Sequence, residues 1–68
     1  MNNLTENTKY TLAKGNVITK FEEMEDGAVI VSDYYNGSAI PVFRELHSEN
    51  TARAIWMRRI ESGFTRKS

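Results

Sequence analysis

Apolar and polar residues alternate with a period of two in three segments of the first two thirds of the chain. This alternation is typical of half-buried strands. Asp26-Gly27 and Asn36-Gly37 separate the three segments, and both dipeptides favour the positive φ angles of a two-residue hairpin turn. The sequence therefore predicts a three-stranded antiparallel meander, with strands over residues 17–24, 28–35 and 38–46.

Two further features place the edges of this sheet. Pro41 lies inside the third predicted strand, and proline is confined to sheet edges because it lacks the N–H that a ladder needs. Residues 10–13 form a further extended candidate, and Lys14-Gly15-Asn16 reads as the turn after it. The sheet is therefore expected to have three strands, or four if residues 10–13 join it.

Two-residue loops fix an expected register. They place Lys20 opposite Asp33, Met24 opposite Val29 and Val31 opposite Val42, which leaves neither face cleanly polar. One face then carries Ile18, Met24, Val29, Val31, Ile40 and Val42, and the other carries Phe21, Ile30, Tyr34 and Phe43. Either a bulge shifts one hairpin, or the N-terminal segment, a second copy or a partner covers the second face.

The period becomes helical after Ser48, which is a good N-cap, and Gly63 suits the stop position of the helix. The expected core-facing stripe is Ala52, Ile55, Trp56 and Ile60. A helix following a meander predicts an α+β fold in which the helix packs on the sheet. The expected organisation is a flexible leader over 1–8, one domain over 9–64 and a basic tail over 65–68.

Two residues of this helix have alternative interpretations. Arg59 falls within the apolar stripe, so either its methylenes pack while the guanidinium reaches the rim, or it pairs with Asp33 or Glu22, or it protrudes into an interface. Trp56 is interpreted as a core anchor rather than a binding hot spot, because its neighbours on the stripe are aliphatic.

Length and composition exclude several classes of protein. The 68 residues allow one domain with a small core, and the absence of cysteine excludes disulfides, thiolate zinc sites and cysteine nucleophiles. No apolar run is long enough for a membrane span, and the polar N-terminus does not resemble a signal peptide, so we expect a cytoplasmic protein without membrane contact.

The zero net charge hides an asymmetry between the two ends of the chain. Residues 1–43 carry three basic and six acidic side chains, whereas residues 44–68 carry six basic and three acidic ones. The two parts either attract each other within the fold or offer charged surfaces to partners. The acidic docking candidates are Glu22, Glu23, Glu25 and Asp26.

The sequence predicts neither catalysis nor a cofactor. His47 lies between Glu45 and Glu49, but one histidine with two carboxylates matches no recognised metal-ligand spacing. No nucleophile has a general base beside it, and Gly15 lacks the glycine-rich context of a phosphate loop. We therefore expect a non-enzymatic protein without a metal site.

Binding residues are expected on the helix and near the second hairpin. Met57 beside Arg53 is typical of an interface edge. The interface candidates are Arg53, Met57, Arg58, Arg59, Tyr34 and Tyr35. An alternative function is nucleic-acid binding through Arg53, Arg58, Arg59, Arg66 and Lys67.

The C-terminal third also carries a resemblance. Thr51-Ala52-Arg53-Ala54-Ile55-Trp56, followed by Arg59, Ile60, Gly63 and Phe64, resembles the helix-plus-aromatic ending of small uncharacterised proteins of bacteriophages and cyanobacteria. The resemblance covers about residues 48–66 and brings no activity and no functional residue. It implies a short accessory protein of the kind that mobile elements encode, acting by binding. The two apolar sheet faces, the strand with Pro41 and the flank of the helix with Arg53 and Met57 lead us to expect a regulator or inhibitor that contacts another protein, with a second copy as a further candidate partner.

Overall fold

A five-stranded antiparallel sheet carries one helix on one of its faces in the computed structural model of the chain. The structure describes residues 8–67, and residues 1–7 of the expected leader lie outside them. The elements are β1 (Thr8–Lys14), β2 (Val17–Glu23), β3 (Val29–Tyr35), β4 (Phe43–His47), α1 (Glu49–Glu61) and β5 (Thr65–Arg66). The strand order is β4-β3-β2-β1-β5. The α+β prediction is confirmed, and the sheet contains the fourth strand and a fifth.

The first hairpin differs from the expected register by one residue. Thr19, rather than Lys20, lies opposite Asp33, and Glu23, rather than Met24, lies opposite Val29. The connection is five residues long because Asp26 Oδ1 accepts the Ala28 N–H at 3.0 Å, while the Met24 N–H donates to the Ala28 carbonyl at 2.8 Å. These bonds close a loop that is wider than the two-residue turn expected at Asp26-Gly27. The resulting shift of one residue moves each β2 side chain to the other face of the sheet relative to the side chains of β3.

The second hairpin is also longer than predicted. Asn36 and Gly37 adopt positive φ angles of 56° and 75°, as a turn at this point requires. However, the Ser38 hydroxyl and the Ile40 backbone exchange two hydrogen bonds of 3.1 Å, and pairing resumes only at Phe43. Val31 therefore lies opposite Glu45, not Val42. β4 is an edge strand, as predicted, but Pro41 lies before it and not within it.

The corrected register explains the two apolar faces of the predicted sheet. Phe21 and Val31 now lie opposite each other and face α1. The core comprises Leu12, Phe21, Val29, Val31 and Ala52. The opposite face mixes Ile18, Ile30 and Tyr34 with Lys20 and Ser32. The register is shifted, as in the first of the two alternatives, but β2 and β3 pair residue by residue from Val17 to Glu23, so the shift comes from the length of the loop and not from a bulge.

Both ends of α1 lie at the residues that the sequence indicates, namely the N-cap Ser48 and the stop at Gly63. The Thr51 N–H donates to the Ser48 hydroxyl, which caps the first turn. At the other end, Gly63 has a φ of 109°, and the Phe64 N–H donates to the Arg59 carbonyl at 3.0 Å. Together with the Gly63–Ile60 bond, this is a Schellman arrangement that satisfies carbonyls of the last turn.

The core-facing stripe of α1 differs from the predicted one at a single position. Ala52 is buried and Ile55 and Trp56 pack against the core as expected, but Ile60 is 41 % exposed. Arg59 turns toward the sheet in its place, because it has a buried partner there.

The predicted basic tail is partly a strand. Thr65 lies opposite Ala13 and Arg66 opposite Leu12, and the Lys67 N–H donates to the Thr11 carbonyl at 2.7 Å. The Schellman turn reverses the chain and directs it along β1. The chain after the helix therefore forms the second edge of the sheet.

A candidate binding groove beside the helix

One helix is too narrow to cover a sheet of five strands. Neighbouring strands lie about 4.8 Å apart, whereas a helix with its side chains is about 10 Å wide. The backbone of α1 lies closest to β3 and β4, and α1 reaches β1 and β2 through the side chains of Trp56 and Arg59. An open groove of about 660 Å³ lies between the N-terminal half of α1 and the strands.

Aromatic rings form the floor and one wall of the groove. Tyr10 lies opposite Phe21 in the β1–β2 register, so both rings face α1. Trp56 meets Phe21 at a centroid distance of 5.1 Å and Tyr10 at 5.9 Å, with interplanar angles of 69° and 77°. Edge-to-face pairs contribute about 0.5–1.5 kcal/mol each beyond area burial. The indole is therefore held in place while one side of it faces the groove.

Charges of both signs surround this apolar floor. On α1, Arg53 Nη2 lies 3.3 Å from Glu49 Oε2, and Glu23 lines the groove from the end of β2. On the far wall, the guanidinium of Arg66 lies 5.1 Å from the centroid of the Tyr10 ring. A mixed rim over an apolar floor suits an amphipathic peptide better than a polyanion.

Arg59 is held inside the fold and does not reach the groove. Its Nη1 donates to Thr19 Oγ1 at 2.7 Å and to Asp33 Oδ1 at 3.2 Å, and its Nη2 donates to Asp33 Oδ2 at 3.2 Å. The Thr19 hydroxyl donates to Asp33 Oδ1 at 2.7 Å, and the Phe64 ring lies 5.3 Å from the guanidinium. The predicted pairing of Arg59 with Asp33 is confirmed, whereas Glu22 lies on the other face of the sheet.

The groove brings together four of the candidate binding residues, namely Arg53, Met57, Glu23 and, from the nucleic-acid alternative, Arg66. The remaining candidates lie elsewhere. Tyr34 is on the face away from α1 with Lys20 Nζ 4.8 Å from its ring, Tyr35 ends β3 at the opposite end of the sheet, and Arg58 is exposed on the helix. Glu25 and Asp26 are exposed in the first hairpin loop.

The three residues considered for a metal do not converge. His47 Nε2 lies 3.0 Å from Glu45 Oε1, but Glu49 pairs with Arg53 on the helix. Within residues 8–67, no three histidine or carboxylate side chains form a cluster that could hold a metal ion. In the same range, no helix combines the length and the apolar character needed to cross a membrane.

Tyr10, Trp56 and Arg66 were not predicted as members of one site. Tyr10 belonged to a strand of uncertain pairing, Trp56 was interpreted as a core residue, and Arg66 was placed in the tail. The pairing register of β1 with β2 is what brings these residues together, because Tyr10 faces α1 only when it lies opposite Phe21. Trp56 in fact serves both purposes, since it packs on the core and lines the groove.

The fold and groove thus define a small antiparallel α+β domain with an open apolar cleft on its helix side. No family model matches the chain, and no curated protein or solved structure matches it either.

Proposed function

We propose that this protein is a non-enzymatic binding module whose groove receives a segment of another protein. The observation that carries the proposal is the aromatic lining of the groove, where Tyr10 and Trp56 are partly exposed above the buried ring of Phe21 and beside Met57. Met57 is 57 % exposed at the mouth. Tryptophan, tyrosine, methionine and arginine are the residue types enriched in the centres of protein interfaces.

The chemistry of the groove specifies the partner segment. The floor accepts one large apolar side chain, which would pack against the indole of Trp56. A neighbouring carboxylate of the partner would meet Arg53, whose present pairing with Glu49 is exposed and contributes only about 0.3–0.5 kcal/mol. An incoming acid can therefore replace Glu49 at little cost. The partner segment is a short peptide with an aromatic or long aliphatic residue next to Asp or Glu.

The biological role proposed for this module is that of a cytoplasmic regulator or inhibitor of a host factor. The resemblance of residues 48–66 to proteins of bacteriophages and cyanobacteria supports this role, since such accessory proteins act by contact.

Nucleic-acid binding receives less support from the geometry. Arg59 is bound to Asp33, and the guanidinium of Arg66 stacks on Tyr10. Tyr34 lies on the face opposite to α1, so it does not share a surface with Arg53. The candidate cations and rings therefore do not line one continuous track of the kind that single strands follow.

Selection from a displayed random-peptide library on the immobilised full chain tests the proposal. We expect the selected peptides to share a large apolar residue adjacent to Asp or Glu. Met57→Lys and Arg53→Glu should each weaken their binding at least tenfold in calorimetric titration, because both side chains line the groove.

Arg58→Glu is the matched control, because Arg58 is exposed on the same helix and does not line the groove. Its affinity for the selected peptides should stay within twofold of the unmodified chain. Selected peptides that bind all three variants equally well would place the binding surface elsewhere. A selection without any common apolar-acidic pattern would contradict the proposed partner chemistry.

A further inference from the structure

The edge strand β4 and the loop before it expose several large apolar side chains. It has β3 on one side and no strand on the other within residues 8–67. Leu46 on the strand is 65 % exposed, and Ile40 and Val42 before it are 75 % and 62 % exposed. An open edge of this kind is a template for pairing with another strand.

We propose that two copies of this chain associate by antiparallel pairing of β4 with β4 about Leu46. Two identical strands that extend one antiparallel sheet are related by a two-fold axis perpendicular to it, so one residue lies opposite its own copy. In β4 the central candidates are Arg44, Glu45 and Leu46. The first two would place like charges directly opposite each other, which is destabilising. Only the third centre avoids this.

The register centred on Leu46 is favourable at the neighbouring positions as well. It places Glu45 opposite the partner's His47, and His47 opposite the partner's Glu45. These two side chains already lie 3.0 Å apart within one copy, so the dimer would join them in a group of four alternating partners. Leu46 would pack on the partner's Leu46 on the other face of the sheet.

The backbone allows this ladder to continue to Ser48. Ser48 has φ −68° and ψ 162°, which is extended, and α1 begins only at the next residue. Arg44 would then lie opposite the partner's Ser48, which gives a paired segment over 44–48 in each copy. The zero net charge of the chain adds no long-range repulsion between copies.

The resulting dimer would have one continuous sheet of ten strands with both helices on the same face. The groove lies over β1 and β2, but its lining also includes Val29, which lies opposite His47 of β4, and Glu49, which follows the paired segment 44–48. The paired surface is small, so we expect a weak, reversible dimer.

Single-cysteine variants test the register directly, because the chain contains no cysteine. Opposite residues of an antiparallel pair have Cβ atoms about 4.5–5.5 Å apart, close to disulfide distance. Under mild oxidation, Leu46→Cys should form a covalent dimer at least tenfold faster than Arg44→Cys, Glu45→Cys or the loop control Ile40→Cys. Fastest linkage of the Arg44 or Glu45 variant would overturn the register.

Sedimentation velocity over a concentration series tests the association without a covalent link. The mass of the unmodified chain should rise toward that of a dimer, and Leu46→Lys should remain monomeric over the same range. Ile40→Lys removes an equally exposed apolar residue outside the ladder and should behave as the unmodified chain. A chain that stays monomeric throughout, or an Ile40 variant that alone loses association, would overturn the proposal.

Discussion

The Arg59–Asp33–Thr19 group makes a quantitative prediction about stability. Asp33 is 7 % exposed, and its carboxylate receives two bonds from Arg59 and one from the Thr19 hydroxyl. Arg59→Met keeps the packing of the methylenes but leaves the carboxylate with Thr19 alone. Removal of one partner from a buried ion pair costs about 3–5 kcal/mol. Because the Arg59 side chain is 28 % exposed, water can replace part of the lost interaction, and we expect about 2–3 kcal/mol.

Replacing the acid of the pair, Asp33, should lower the free energy of unfolding less than replacing Arg59 does, because the Arg59 guanidinium can then turn toward solvent. Asp33→Thr supplies a hydroxyl that can bond Thr19 across β2 and β3, and a β-branched residue suits the strand. We expect this change alone to cost about 1–2 kcal/mol, since the partly exposed guanidinium loses the carboxylate but keeps Thr19 as an acceptor and can reach water. The double variant should be more stable than the sum of the single costs predicts, by about 1.5 kcal/mol.

Equilibrium unfolding in urea measures these differences, with the fluorescence of Trp56, the single tryptophan, as the probe. A domain of this size has a total stability of roughly 3–10 kcal/mol, so Arg59→Met should lower the unfolding midpoint by a large fraction. Additivity of the two changes within about 0.5 kcal/mol would refute the interpretation that the group acts as one unit. A larger cost for Asp33→Thr than for Arg59→Met would refute the argument from exposure.

Three further changes test the helix and its junctions by urea unfolding. Ser48→Ala removes the cap of the Thr51 N–H and should cost about 1 kcal/mol. Asn50→Ala, at an exposed position two residues later in the same turn, should cost less than half of that. Gly63→Ala forces a side chain into a φ of 109° within 3.4 Å of Lys14 Cε and should cost more than 1 kcal/mol; a neutral result would contradict the Schellman end. Trp56→Leu removes both edge-to-face pairs and should cost about 1–3 kcal/mol. Because this variant lacks the only tryptophan, its unfolding is followed by far-UV circular dichroism, and an unchanged midpoint would show that the ring contacts contribute little.

The sequence contained enough information to predict the elements but not their pairing. The strands, the N-cap at Ser48 and the stop at Gly63 are local features, and each was placed within a few residues. Register depends on loop length, and Asp26-Gly27 marks the turn without fixing how many residues it encloses. A shift of one strand by a single residue relative to its partner decides which face a side chain occupies. The error therefore spread to every residue that follows the loop.

Two other outcomes show the same division between local and non-local information. The position of Arg59 within an apolar stripe leaves three alternatives from the sequence, and the structure shows the one in which it pairs with Asp33, one of two named acids. β5 was missed because two residues carry no periodicity, and their strand exists only through the ladder with β1. The groove was missed for a related reason, since it depends on where the helix lies on the sheet.

The charge asymmetry of the chain has a structural explanation that bears on the type of partner. The basic C-terminal part and the acidic N-terminal part meet at Arg59 and Asp33, where one opposite pair is enclosed in the fold. Arg53 and Arg66 are engaged locally, with Glu49 and with the Tyr10 ring. What this leaves on the helix side is an apolar floor with balanced charges at its rim, rather than a cationic field. Binding to such a surface should depend on the shape and apolar area of the partner and only weakly on salt, in contrast to binding of a phosphate backbone.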